Sequence, residues 1–392
     1  MISKQVYEQT LLTYFAPVRP YLDDPSVSEI MINGPDQIYV ERRGMLELVD
    51  ARFANTEALM AALRNLSQYI GKVVDEHHPI LEGRLPDGSR VEALLPPVSP
   101  DGPSVSIRRF FRETLTIARL ENLGALTSAA SEALAAFVAS KINILVAGGT
   151  GSGKTSMLNA LTGLVPTGER VVVIEDSREV QPQRPHVVQL EARPGDGKGR
   201  GAVSVRELFR ATLRMRPDRI IVGEIRGGEA LEIIQAMISG HGGCMGTLHA
   251  TYPRDTLTRL ESMAMMNETD MPLSAMRAQI GSGVQLIVQV ARLQDGTRKV
   301  THISEVTGYD RGEEKYDIRD LFVREYFGAD EEGRVRSELR PTGVSPRFLP
   351  QLEEHGVALP DEMLAAIRAG RSGLSASVGM PAAHHHEVRS QP

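Results

Sequence analysis

The stretch INILVAGGTGSGKT, residues 142–155, constrains the chain more than any other. A short apolar run, Ile142 to Ala147, has the composition of a buried parallel strand, and it opens directly into Gly148, Gly149, Thr150, Gly151, Ser152, Gly153, Lys154 and Thr155. Gly148, Gly153, Lys154 and Thr155 satisfy the spacing G-x-x-x-x-G-K-[ST], and Ser156 to Leu161 can continue as the helix this P-loop pattern requires. Glycines accept backbone angles that other residues resist, so successive N–H groups can turn inward around phosphate oxygens. Lys154 is then placed to reach the β- and γ-phosphates of ATP. The Thr155 hydroxyl would complete the coordination of Mg²⁺ at a helix N-terminus whose dipole favours anions. The bland alternative is a glycine-rich turn without a ligand; four glycines and a Lys-Thr pair between strand and helix argue against it.

At 392 residues and 41% hydrophobic, the chain has room for two or three domains with real cores. Lys and Arg number 44 against 50 Asp and Glu, a net charge of −6, so no global basic character announces nucleic-acid binding, although a local basic groove stays open. The single cysteine, Cys244, excludes an intramolecular disulfide and any multi-cysteine metal site, and reads as a small buried hydrophobe. No run approaches the roughly 18–20 apolar residues that span a bilayer. The opening MISKQVYEQT lacks the order of a signal peptide. The expectation is a cytoplasmic protein without a membrane span, reaching a membrane only through partners.

Residues 3–22, with Val6, Leu11, Leu12, Phe15 and Val18, suggest an amphipathic helix that stops at the prolines. SEIMI, QIYVER and MLELVD, separated by NGPD and by Arg43-Gly44, read as a β-meander. Leu59, Ala62, Leu63, Leu66 and Ile70 have helical spacing, LPDGSR is a hairpin turn, and SVSIRRF is a last strand. Residues 1–111 therefore form an α+β domain with an antiparallel sheet. His77-His78 lacks a third ligand candidate and reads as turn chemistry. Residues 112–125 are a polar linker, and GDGKGRG (195–201) a mobile loop. From 126 to 325, strand-like and helix-like segments alternate, the pattern of an α/β domain with a mostly parallel, doubly wound sheet. Residues 326–368 are a C-terminal extension, and the composition of 369–392 suits a disordered tail.

Ligands of open α/β sheets bind at the carboxyl ends of strands, and three such ends carry ionisable residues. Val171 to Ile174 leads to Glu175 and Asp176, with Glu179 nearby; Arg219 to Val222 leads to Gly223-Glu224; Met245 to Leu248 leads to His249. Phosphoryl transfer to water needs a metal, fixed positive charge and a group that orients the water. Glu224 stands where a Walker B acid belongs, with Gly223 in place of the usual Asp. It polarises water or holds the Mg²⁺ shell, or else is only a helix N-terminal carboxylate ahead of Gly228. Glu175 and its neighbours form a second acidic cluster near the metal, or a strand end before a capped helix. His241 and His249 flank GHGGCMGTLHA; a histidine there can donate to a γ-phosphate oxygen or be merely structural. Residues 203–216 read as an amphipathic helix with Arg206, Arg210 and Arg214 in an i, i+4, i+8 row, a solvated face or an arginine finger toward a neighbouring subunit. Arg108 and Arg109 at the SVSIRRF strand end are phosphate ligands or a solvated edge.

Taken in order, GGTGSGKT, VIEDSREV, LRMRPDRIIVGEIRGGEA and SGHGGCMGTLHA resemble the Walker A, Asp, Walker B and His boxes of the type II and type IV secretion ATPase superfamily. With DPSVSEIMINGPDQIYVERRG, LPDGSRVEALLPP and SIRRF before them, the chain is most similar to the CpaF/TadA-type motor of tight-adherence pilus assembly. The resemblance implies a RecA-like ATPase in which Lys154 and Thr155 bind nucleotide and Mg²⁺ and Glu224 is the catalytic glutamate. Glu175 belongs to the Asp box, and His249 ends the His box. Arg108, Arg214 and Arg226 occupy arginine-bearing positions that contact phosphate or couple subunits. It further implies a homo-hexameric ring at the inner face of the bacterial inner membrane, driving a polytopic platform protein. A conjugative DNA-transfer motor and a nucleic-acid translocase are the alternatives. Only 5% aromatics and no tryptophan disfavour a DNA channel, and DNA is not an expected partner.

Overall fold

The computed structural model describes residues 10–42, 44–110, 115–193, 195, 200–267 and 271–370. The start of the leading helix (3–9), Arg43 of the second turn, residues 112–114 of the linker, residues 196–199 of the glycine-rich loop and nearly all of the 369–392 tail lie outside the described residues. The chain divides into two units, Met1–Thr114 and Leu115–Pro392.

In the first unit, β1 (Val27–Asn33), β2 (Gln37–Arg42), β3 (Met45–Val49), β4 (Ile80–Arg84), β5 (Arg90–Leu94) and β6 (Ser104–Arg108) form a sheet in the order β3-β2-β1-β6-β5-β4, every pair antiparallel. One face is covered by the helix Thr56–Ile70, whose Leu59, Leu63 and Leu66 pack with Ile30, Ile32, Val91 and Ile107. Asn55 starts this helix by accepting the Ala58 N–H at 2.9 Å, and Gly71, at φ +72°, ends it. The described part of the leading helix ends at Tyr14, ahead of Pro17. A separate 3₁₀ turn, Ala16–Val18, and a helix, Arg19–Asp23, follow it, each with a proline in its first turn, where proline removes only an N–H that has no intrahelical partner.

The second unit holds β7 (Ile144–Gly148), β8 (Val171–Glu175), β9 (Val187–Glu191), β10 (Arg219–Val222), β11 (Met245–His249), β12 (Leu286–Arg292), β13 (Arg298–Asp310), β14 (Lys315–Ala329) and β15 (Val335–Pro341). They form one sheet in the order β15-β14-β13-β12-β7-β11-β10-β8-β9. From β12 to β9 neighbouring strands are parallel; from β12 to β15 they are antiparallel. The central parallel strands are mostly apolar because both faces are covered, whereas the edge strand β9 is only half-buried. Ile144, Val146, Val171 and Val173 pack under the helices Ser128–Ala139 and Lys154–Thr162. Leu145, Ala147, Val172 and Ile174 face the helices Val205–Thr212, Glu229–Ile238, Pro253–Ala264 and Leu273–Gly283. This is a doubly wound RecA-like motor fold preceded by a smaller α+β unit.

Three sequence boundaries fall differently in the structure. Within 115–125 the chain forms a helix, Ile117–Asn122, capped by Thr116 and anchored by buried Leu120. Residue 325 lies inside β14, and Leu339, Leu352, Leu359 and Met363 beyond it belong to the same core as the P-loop helix. The amphipathic helix ends at Thr212, not 216: the backbone at Arg216 is left-handed, φ +53°, and Pro217 follows. Among the described residues, no helix is long and apolar enough to cross a membrane.

Candidate active site

Parallel pairing sets Gly148, the last residue of β7, level with His249 of β11 and Val290 of β12. A Cβ at Gly148 would lie 2.4 Å from both the Ser152 Oγ and the Val290 carbonyl oxygen, so only glycine fits where the loop leaves the sheet. Gly153, at φ +95°, turns the loop into the helix Lys154–Thr162. Gly149, Thr150, Gly151 and Ser152 form the arch between them, braced by the Ser152 hydroxyl on the Gly149 carbonyl at 2.8 Å.

Lys154 is buried, and its Nζ donates to the Gly148 and Gly149 carbonyls at 3.1 and 2.8 Å and to His249 Nδ1 at 3.3 Å. A lysine ammonium only donates, so Nδ1 is an acceptor and the imidazole proton sits on Nε2, 3.0 Å from Glu224 Oε1. Burial and the Lys154 charge lower the His249 pKa against the opposing pull of Glu224, which keeps the ring neutral near neutral pH. The other Glu224 oxygen accepts from Arg226 at 2.7 Å, and Arg226 also lies 3.7 Å from Asp176. Burial alone would raise the Glu224 pKa; the Arg226 hydrogen bond and charge, with His249 and Lys154, outweigh it and hold the carboxylate ionised. The result is a chain of alternating donors and acceptors, Lys154 to His249 to Glu224 to Arg226, across the ends of three strands. Glu224 does not cap the helix Glu229–Ile238, whose N-cap Gly228 carries no side-chain cap; Glu229, in its first turn, accepts the N–H groups of Arg226 and Gly227 in the preceding turn at 2.7 and 2.9 Å.

Glu175 closes β8 on the other side of Glu224. One of its oxygens accepts the N–H groups of Glu179 and Val180, each at 2.9 Å, while the other is buried without a hydrogen-bond partner. No helix follows it. Burial pushes its pKa up to about 7, against those two backbone bonds. Glu175 also explains Gly223: a Cβ there would meet the Glu175 Cγ at 2.6 Å. The Asp usual at that position cannot coexist with this carboxylate, which arrives from the adjacent strand. The Thr155 hydroxyl reaches Glu179 at 3.3 Å. The orphaned Glu175 oxygen, and the Thr155 hydroxyl with the Glu179 carboxylate, are oxygen ligands of the kind a hard divalent cation takes. Among the described residues no three His, Cys, Asp or Glu side chains form a metal cage.

His241 is not part of this cluster. It precedes β11, at the opposite end of that strand from His249. Buried Cys244 donates its thiol to the His241 carbonyl at 3.1 Å. Arg214 leaves the proposed row, lying exposed in the turn after Thr212. Arg206 and Arg210 remain and converge on one oxygen of buried Glu232, at 2.7 and 2.8 Å. Arg108 belongs to β6 of the first unit, in register with Glu29 and Arg90. Sequence reasoning missed Asp255 and Arg259, which with Thr150, Arg226, His249 and Met266 line a cavity of about 610 Å³. It also missed Arg298, whose Nε donates to the Gly151 carbonyl at 2.8 Å.

The family described as Type II/IV secretion system protein matches residues 12–323. A putative conjugal transfer protein of Mycobacterium tuberculosis is 35% identical over 302 residues, covering 76% of this chain and 85% of that protein. The type IV secretion system protein PtlH of Bordetella pertussis is 34% identical over 313 residues, covering 73% of this chain and 92% of that protein. The fold is shared with the ATPase DotB of Yersinia pseudotuberculosis, at 16% identity and a TM-score of 0.52 over 78% of this chain and 79% of that one.

Proposed function

The chain belongs to the Type II/IV secretion system protein family, and we propose that it is an ATP-hydrolysing motor that powers assembly or export across a bacterial envelope. The observation that carries this reading is the relay beneath the P-loop: Lys154, neutral His249 and ionised Glu224 joined at 3.3 and 3.0 Å. Lys154 now binds its own loop carbonyls, and transfers to the β- and γ-phosphates when ATP enters. Glu224 orients the attacking water and His249 holds that carboxylate through Nε2–H. Because His249 touches both the phosphate-binding lysine and the catalytic carboxylate, it can report whether a γ-phosphate is present. When bound, Mg²⁺ supplies charge neutralisation on the phosphate oxygens; Thr155 and Glu175 would hold it, with Glu224 at its edge.

Within this class, the ordered sequence boxes favour a homo-hexameric motor of tight-adherence pilus assembly, acting on a polytopic inner-membrane platform protein from the cytoplasmic side. In that ring Arg108, Arg214 and Arg226 are the arginines available to reach phosphate or a neighbouring subunit. Conjugal transfer is the second reading, favoured by the name of the mycobacterial relative. The test is ATP hydrolysis per chain across a wide protein concentration range, with and without DNA. A steep rise with concentration and indifference to DNA is expected. Strong stimulation by DNA withdraws the pilus reading in favour of conjugal transfer or translocation. Lys154→Ala serves as the control, with turnover lowered on the order of 10²–10³-fold; unimpaired turnover contradicts the P-loop assignment.

A further inference from the structure

A loop that points its N–H groups inward at an anion must turn carbonyl oxygens outward, where they need partners of their own. The Gly151 carbonyl is one of these, and Arg298 Nε meets it at 2.8 Å. The arginine stem also runs along the loop: a Cβ at Gly153 would stand 3.3 Å from Arg298 Cδ. Register places Arg292 opposite Arg298 on the β12–β13 hairpin, with Arg292 Nη1 3.7 Å from where a Gly151 Cβ would stand. The turn between them is tied down. Leu293 N–H donates to the Thr297 carbonyl at 2.8 Å. Asp295 Oδ1 accepts the Thr297 N–H and hydroxyl at 2.9 and 2.6 Å, and its Oδ2 accepts the Val335 N–H of β15 at 2.8 Å.

We propose that Arg298 is a positioning residue of the phosphate-binding loop, acting through the Gly151 carbonyl and aimed by the Asp295 turn. The peptide it engages carries the Ser152 N–H, whose bond to Gly149 O is long at 3.4 Å. A guanidinium on the oxygen end of that peptide fixes its plane and polarises the N–H for a phosphate oxygen. The inference rests on the ATP-binding reading above.

The test uses the full chain and compares ATP affinity, KM and kcat for the wild type, Arg298→Ala, Arg298→Lys and Asp295→Ala. Arg298→Ala should raise Kd and KM about tenfold, the worth of one charge-assisted hydrogen bond, with kcat little changed. Arg298→Lys, which can still donate, should recover most of that loss. Asp295→Ala should move KM the same way by about threefold, since it loosens only the aim. A purely structural role would lower the melting temperature and leave KM alone, so unchanged Kd and KM in both alanine variants overturn the inference. A wild-type chain without ATP affinity sinks the ATP reading and this inference with it. Wild-type affinity with unaffected variants sinks only the inference.

Discussion

The antiparallel sheet of the first unit and the central parallel strands of the second bury their residues in opposite ways. β1 buries Val27, Ile30 and Ile32 and leaves the residues between them partly exposed, whereas β7, β8 and β10 are buried at every position. In the antiparallel sheet polar groups lie along the strands: the Ser28 hydroxyl donates to Glu41 at 2.6 Å and the Ser106 hydroxyl to Glu29 at 2.7 Å. In the parallel core the interior positions of β7, β8 and β10 are apolar, the buried charge Arg219 stands at the amino end of β10 paired with Glu169, and Glu175, Glu224 and His249 collect at the carboxyl ends. Full burial thus concentrates the chemistry, and half-burial spreads polar groups over a surface.

The largest expected effect probes those ends. Glu224→Gln should lower ATP turnover by about 10²–10⁴-fold while nucleotide binding persists; turnover at the wild-type level removes this residue from the chemistry. Urea denaturation then tests the contrast itself. Ile30→Ala should cost about 2–5 kcal/mol and its half-exposed neighbour Met31→Ala under about 1 kcal/mol, whereas Val172→Ala and Val173→Ala should each cost about 2 kcal/mol. Equal costs at Ile30 and Met31 would erase the difference between the sheets. Gly223→Ala should destabilise by about 1–3 kcal/mol and depress turnover, because the new methyl group displaces Glu175; a melting curve and a rate identical to wild type would show that the close packing is slack. The smallest effect is at Cys244. Burial pushes its thiol up to about 12, so the thiolate is scarce at pH 8 and emerges only as pH rises toward that value. Iodoacetamide should leave the folded chain unlabelled by mass spectrometry and label the urea-unfolded chain.

The sequence was most legible where a signal is local. The apolar runs that end in Glu175, Gly223-Glu224 and His249 read directly as parallel strands, and the P-loop glycines carry their own spacing. It was least legible where partners are distant or patterns mixed. Past 325, the end of β14 and β15, VRSELRP, mix polar and apolar residues and lack the continuous apolar run that marks a buried parallel strand, so a boundary at 325 falls inside the sheet. Arg298 contacts a carbonyl 147 residues upstream, and no local pattern announces that. The arginine row extended one turn too far because Arg206 and Arg210 do share a face, toward Glu232, while the left-handed Arg216 is invisible in composition.

The pairing of Glu175 with Gly223 has a consequence for descent. The Gly223 N–H donates to the Ile174 carbonyl at 3.0 Å, so positions 175 and 223 belong to adjacent strands and compete for one volume. A lineage that acquires a side chain at 223 first crowds its own carboxylate, and one that shortens 175 first loses an acid before another replaces it. Either order passes through an impaired ancestor. Among relatives the two sites are therefore expected to covary, inherited as a linked pair with the acid on one strand or the other and seldom on both.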